Sequence, residues 1–203
     1  MTGGLGVRDY TLLLPPGWAR IPLDEKAPAR VKALVAERLS AAPAEHREAL
    51  RTGLTHDITR ALASAGRNGG LDVLLSIDPV AGQPVPASAV VTHLEGQGDG
   101  DTLDSLLSTM ASGTPGTEIL ELGVVEAADA PAVRRVSTRT ERIEAAGDLP
   151  GGALHVTQVD YFVPLPGSDG VLVLTFSTPI AQLGPPLVRL FDVMATSLRW
   201  VAP

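Results

Sequence analysis

Four strand-like stretches follow one another between Thr117 and Pro179: "TEILELGVVEA", "AVRRVSTRTERIEA", "ALHVTQVDYFVPL" and "GVLVLTFSTP". The segments joining them, "ADAP", "AGDLPGG" and "PGSDG", are of hairpin length and rich in turn-forming residues. Strands joined so tightly must run antiparallel, because a parallel return needs a crossover of a dozen or more residues. Two further strands precede them, "LDVLLSIDP" and "ASAVVTHLE", separated by the loop "VAGQPVP". An antiparallel sheet is therefore the centre of the fold.

Helical periodicity surrounds that sheet. Val31, Leu34, Val35 and Leu39 recur at i, i+3, i+4 and i+8 behind a start at Asp24 or Ala27, with Pro28 in the first turn. Pro43 interrupts this helix. Leu50, Leu54, Ile58, Leu62 and Ala65 then mark a second one, which "GRNGG" ends. Thr102–Ala111 reads as a short helix after "GQGDGD". Pro185-Pro186 opens a last helix whose apolar face is Leu187, Leu190, Phe191, Met194 and Leu198. Amphipathic helices placed before, within and after a run of strands have to cover the sheet faces. The expected class is α+β, an antiparallel sheet with helices packed on it. No repeat, low-complexity linker or composition break divides residues 1–203, so one domain is expected.

The N-terminal stretch "DYTLLLPPGWARIPLD" sets Trp18 directly after Pro-Pro-Gly, between the apolar runs Tyr10–Leu14 and Trp18–Leu23. Proline fixes φ and Gly17 tolerates φ > 0, so the chain reverses there. A strand, a tight turn and a second strand are expected, an N-terminal hairpin. The indole of Trp18 is expected to anchor the turn against the sheet or the last helix, near Leu187 and Phe191. Trp200, near the end of the chain, should matter less.

Composition narrows the function classes. Sixteen basic against 23 acidic residues give a net charge of −7, which repels phosphate backbones and anionic membranes alike. Nucleic acid is excluded as a partner. Aromatics are only 3% of the chain, so aliphatic side chains fill the core. Cysteine is absent, which removes disulfides and thiolate metal sites. The first residues carry no basic region followed by a long apolar core, and no segment approaches the ~18 apolar residues of a membrane span. The cytoplasm is the expected compartment. Lys26 and Lys32 are the only lysines, and this arginine bias with abundant Ala, Gly and Pro points to a GC-rich bacterial genome.

"PPGW" after a short first strand, and "VLVLTFSTP" followed by "LFDVMATSLRW", resemble actinobacterial proteins of the PsbP-like fold superfamily. The resemblance extends to the order of elements over nearly the whole chain. It implies an N-terminal hairpin, a helix, a long antiparallel sheet and a C-terminal helix packed on it, a PsbP-like α/β/α sandwich. Proteins of that fold are mostly binding proteins: photosystem assembly factors, a nuclear-transport factor, lipoproteins and chaperones of secreted effectors. The resemblance carries over no catalytic residue.

The spacing of the reactive side chains supports no catalytic or metal-binding constellation. His46 and His56 form no His-Glu-x-x-His, and with no thiol available a zinc site would need distant groups to converge. His93 and His155 fall on strands and could pair across them as polar neighbours. Gly96, Gly98 and Gly100 suggest a dinucleotide loop, but Asp99 and Asp101 stand where a pyrophosphate would sit. A capped helix after a loop explains them better. Glu118 with Glu121, and Glu141 with Glu144, fall among arginines as neutralised charge. No catalytic, cofactor-binding or metal-ligating residue is assigned, and no cofactor is expected.

"RRVSTRTER" resists the blandest account. Alternation puts Arg134 and Arg142 on one strand face with Thr138, and Arg135 and Arg139 on the other with Glu141. Charges on both faces place the strand at an edge or overhanging the sheet, where they guard against edge pairing. The functional alternative is that Arg134, Arg135, Arg139 and Arg142 grip an acidic partner, since Arg offers bidentate contacts. The function read from these observations is a non-catalytic interaction module, an adaptor, chaperone or scaffold, whose partner is another protein or a second copy. Aliphatic residues on both sides of "VLVLTF" raise the alternative of a small-molecule or lipid-binding protein.

Overall fold

The computed structural model describes residues 9–39, 44–78, 85–95, 102–113, 115–143 and 152–201. The elements are β1 (Tyr10–Thr11), β2 (Trp18–Pro22), α1 (Ala27–Arg38), α2 (Ala44–Arg67), β3 (Gly70–Ser76), β4 (Ser88–Leu94), α3 (Thr102–Ala111), β5 (Thr117–Ala127), β6 (Ala130–Ile143), β7 (Gly152–Pro164), β8 (Val171–Thr178), α4 (Gly184–Thr196) and β9 (Arg199–Trp200). Gly96, Gly98, Asp99, Gly100, Asp101, Pro43, Glu144 and the side chain of His46 lie outside the described residues.

The turn-linked strands form the sheet that the short connections required. β2 to β8 make one seven-stranded sheet in the order β2-β3-β4-β8-β7-β6-β5, with every pairing antiparallel. α3 carries the chain from β4 to the far edge at β5, and the meander β5-β6-β7-β8 then returns to pair with β4. The class is α+β, as the periodicity indicated.

Both faces are covered, by different helices. On one face Val31 and Val35 of α1 and Leu62 of α2 pack with Ile21 of β2 and Val73 of β3. The same face carries α3 at its other end, where Leu103, Leu106 and Met110 lie on Val133, Phe162 and Val173. On the opposite face Leu187, Phe191, Met194 and Leu198 of the α4 segment meet Leu174, Phe176, Val159 and Tyr161. Phe191 stacks on Phe176 at 5.0 Å between centroids. β8 is sandwiched between the layers, which is why "VLVLTF" is apolar on both sides.

The expected N-terminal hairpin does not form. The turn itself does: Trp18 N–H donates to Pro15 O at 3.2 Å, and Gly17 has φ +82°. A Pro-Gly turn of this kind splays its flanking strands rather than matching their twist. β1 therefore leaves to pair with β9, Tyr10 opposite Trp200, while β2 pairs with β3. Gly17 is required, since a Cβ there would lie 2.6 Å from that of Asp78. Trp18 does anchor the turn as expected, packing edge-on against Phe191 at 6.4 Å, although it is half-buried. Trp200 is no loose end: its pairing with Tyr10 holds the chain's last described strand in place.

Candidate functional site

The strand carrying the four arginines is not an edge. β6 lies between β5 and β7, and Arg134 and Arg135 are almost wholly covered, each side chain 14% exposed. Buried guanidinium groups are tolerated only when paired and hydrogen-bonded. The antiparallel register supplies the partners: Arg134 stands opposite Tyr161, and Arg135 opposite Asp160.

On the α4 side, Arg134 forms a fork with Asp192 of α4. Its Nε donates to Oδ1 at 2.8 Å and its Nη2 to Oδ2 at 3.1 Å. Its Nη1 donates to Glu121 Oε2 at 2.6 Å, and the Tyr161 hydroxyl also donates to Asp192. Burial works against the Arg134 charge, but the hydrogen bonds to Asp192, Glu121 and Tyr161 outweigh it and raise its pKa. Burial of the Tyr161 phenol, then its bond to Asp192, pushes that pKa up as well. The arrangement pins α4 to the sheet.

On the other face, Arg135 donates from Nη2 and Nε to Asp160 Oδ2 at 2.7 and 3.1 Å. Asp160, 2% exposed, also accepts from Gln158 Nε2 at 2.8 Å and from Thr175 Oγ1 at 2.9 Å. Arg139 donates to Gln158 Oε1 and, from Nε at 2.7 Å, to Glu141. A polar relay thus runs across β8, β7 and β6, between the cover made by α1 and α2 and that made by α3. A second buried carboxylate, Asp72 on β3, accepts from Tyr10 Oη and from Arg20 Nη2 at 2.7 Å. Burial of the Tyr10 phenol, then its bond to Asp72, raises its pKa. The fully buried Asp160 and Asp72 and their helix-side counterpart Asp192 escaped the sequence reading. The signal for two of them was an aspartate inside an otherwise apolar strand, in "LDVLLS" and "QVDYFV".

Past Arg139 the strand does overhang. β5 begins opposite Arg139, and β8 ends opposite Thr157, so Thr140–Ile143 pair only with Gly152–His155. These residues make a two-stranded arm beyond the sheet. Thr140, Glu141, Arg142, Ala153 and His155 are exposed on it. His155 Nδ1 lies 3.1 Å from Thr140 Oγ1. The suggested His93–His155 pair is not made, because β8 separates β4 from β7. The four arginines therefore divide: Arg134 and Arg135 brace the fold, Arg139 stands at the base of the arm, and Arg142 lies exposed upon it. Among the described residues no three acidic or histidine side chains converge to hold a metal ion. Nor is any described helix long and apolar enough to cross a membrane.

No protein-family model and no curated protein matches the chain. Among solved structures it is similar to LpqN, involved in cell envelope biogenesis of Mycobacterium tuberculosis. That match has a TM-score of 0.53 at 14% identity and covers 98% of this chain and 87% of the other. It is similar also to the Ran-binding protein Mog1p of Saccharomyces cerevisiae, with a TM-score of 0.52 at 14% identity, covering 95% and 90%. Cyanobacterial PsbP of Synechocystis sp. PCC 6803 aligns over 99% and 98% with a TM-score of 0.42 at 12% identity. The fold is PsbP-like, as the resemblance implied, and likeness at these identities carries the fold alone.

Proposed function

We propose that this protein is a non-catalytic protein-interaction module that grips an acidic surface of its partner with the β6–β7 arm. The observation that carries this reading is the arm itself, which projects Arg142 and His155 beyond the sheet, with Arg139 at its base, in a chain of net charge −7. Arginine on a protruding ribbon presents bidentate donors to carboxylates. Mog1p, a neighbour in fold, is a Ran-binding protein, which supports reading this chain as a binder of another protein. Cytoplasmic placement belongs to the same proposal. A photo-crosslinking residue at Ala153, with Val193 on the outer face of α4 as the control position, tests it in cells. An adduct of one defined mass from Ala153 alone is expected. Equal labelling from both positions, or none, would contradict it.

A second reading has its own observation. A cleft of about 350 Å³ lies between α1, α2 and the sheet, lined by Leu34, Val35, Ile58, Leu75 and Ile77, with the Ser88 and Ser177 hydroxyls 3.1 Å apart at its wall. That size and lining suit a small apolar ligand. Native mass spectrometry of gently purified protein is expected to show a bound mass if this reading holds, and a strictly ligand-free protein counts against it.

A further inference from the structure

Among the described residues the seven-stranded order leaves two open edges, and they are not alike. β2 is five residues long, carries Arg20 and ends in Pro22. Shortness and proline blunt an edge against a further strand. β5 runs for eleven residues and contains no proline, lysine or arginine. An edge of that length presents a row of main-chain donors and acceptors to any extended chain.

The side chains beside that row say what kind of chain fits. Glu118 and Glu121 stand opposite Thr138 and Val136, which puts both on the α4 side of the sheet. Leu122 and Val124 stand opposite Arg135 and Val133, on the α3 side. Val124 is 52% exposed, as is Leu120 at the irregularity between Ile119 and Glu121. Glu118, Glu121 and Glu126 are exposed, and only Glu121 is ion-paired among the described residues, to Arg134. The α4 side of the edge thus carries Glu118 and Glu121, and the α3 side carries Leu122 and Val124 followed by Glu126, which stands opposite Pro131. A second copy adding through the same edge would bring its own glutamates against these, which is destabilising. A strand with cations on one side and aliphatic residues on the other reverses that sign.

We propose that the β5 edge receives, as an added strand, an extended segment of another protein in which Lys or Arg alternates with aliphatic residues. Main-chain hydrogen bonds hold such a strand, and the flanking side chains select it. The chain's net charge of −7 steers a basic segment toward it. This surface is separate from the arm, so the two proposals fail independently.

A fluorescently labelled peptide of alternating lysine and valine, as long as β5, tests the proposal by anisotropy, with a glutamate–valine peptide beside it. The lysine peptide is expected to bind, to weaken as salt is added, and to slow amide exchange across residues 117–127. The glutamate peptide is expected not to bind. Glu118→Lys, which reverses an α4-side charge unpaired among the described residues and leaves the Arg134 pair intact, should weaken the lysine peptide on the order of fivefold or more. Absent binding, protection outside β5, or undiminished affinity in that variant overturns the proposal. So does concentration-dependent self-association abolished by the same variant, which would make the occupant a second copy.

Discussion

Arg134 and Arg142 sit on the same side of one strand, eight residues apart, and live in different worlds. Arg134 has β5 and β7 on either side and α4 above it, and carboxylates of two elements hold its guanidinium. Arg142 lies on the arm, where β6 has only β7 beside it, and its side chain is exposed. The same split separates Arg135, buried on Asp160, from Arg139 at the arm's base. What an arginine does here is set by which strand lies opposite it. Inside the sheet it is structure; past the sheet's limit it is available.

The largest expected effects lie in the inner half. Asp160→Ala strands Arg135 in a buried site and should cost about 3–5 kcal/mol, the range for breaking a buried pair by removing one partner. Urea denaturation measures it, and a loss below about 1 kcal/mol would mean that the relay is solvated. Trp18→Ala, which removes the edge-on contact to Phe191, should cost about 3 kcal/mol, the low end for a large aromatic because Trp18 is half-buried. If its melting transition matches that of the parent, the turn is not anchored through α4.

Raising the pH attacks the same half by another route. Burial, then the bonds to Asp72 and Asp192, raise the pKa of the Tyr10 and Tyr161 phenols above the unfolded value of about 10. The folded state therefore favours the neutral phenols. Their contribution is intact below about pH 10 and is lost as the pH climbs through the folded values. Stability followed against pH should fall on that alkaline side, and Tyr161→Phe should flatten part of the fall. A curve unchanged by the substitution would remove Tyr161 from the account. The smallest effect belongs to the arm: Arg142→Ala should move stability by less than about 0.5 kcal/mol, as exposed charges do.

How much of this could be read beforehand depended on range. The strands from Thr117 to Thr178 were legible because short turns leave antiparallel pairing as the only solution. The face assignment of the arginines was legible too, because alternation is local. Their burial was not. Arg135 needs Asp160, which hairpin register sets opposite it, and Arg134 needs Asp192 from a helix that crosses the other face. Register between β6 and β7 and the placement of α4 are tertiary facts that local periodicity does not contain. The N-terminal hairpin failed for the same kind of reason. The turn at Pro15–Trp18 was read correctly, but β1 found β9, almost the whole chain away, a more compatible neighbour than β2.

Chemical denaturation of Arg135→Ala and Arg142→Ala, run side by side with the parent chain, tests the division of β6 most directly. Loss of Arg135 leaves the Asp160 carboxylate buried with only Gln158 and Thr175 for partners, and a cost of about 3 kcal/mol is expected. Loss of Arg142 should leave the midpoint within about 0.5 kcal/mol of the parent. Equal shifts, or a larger one for Arg142, would contradict the account.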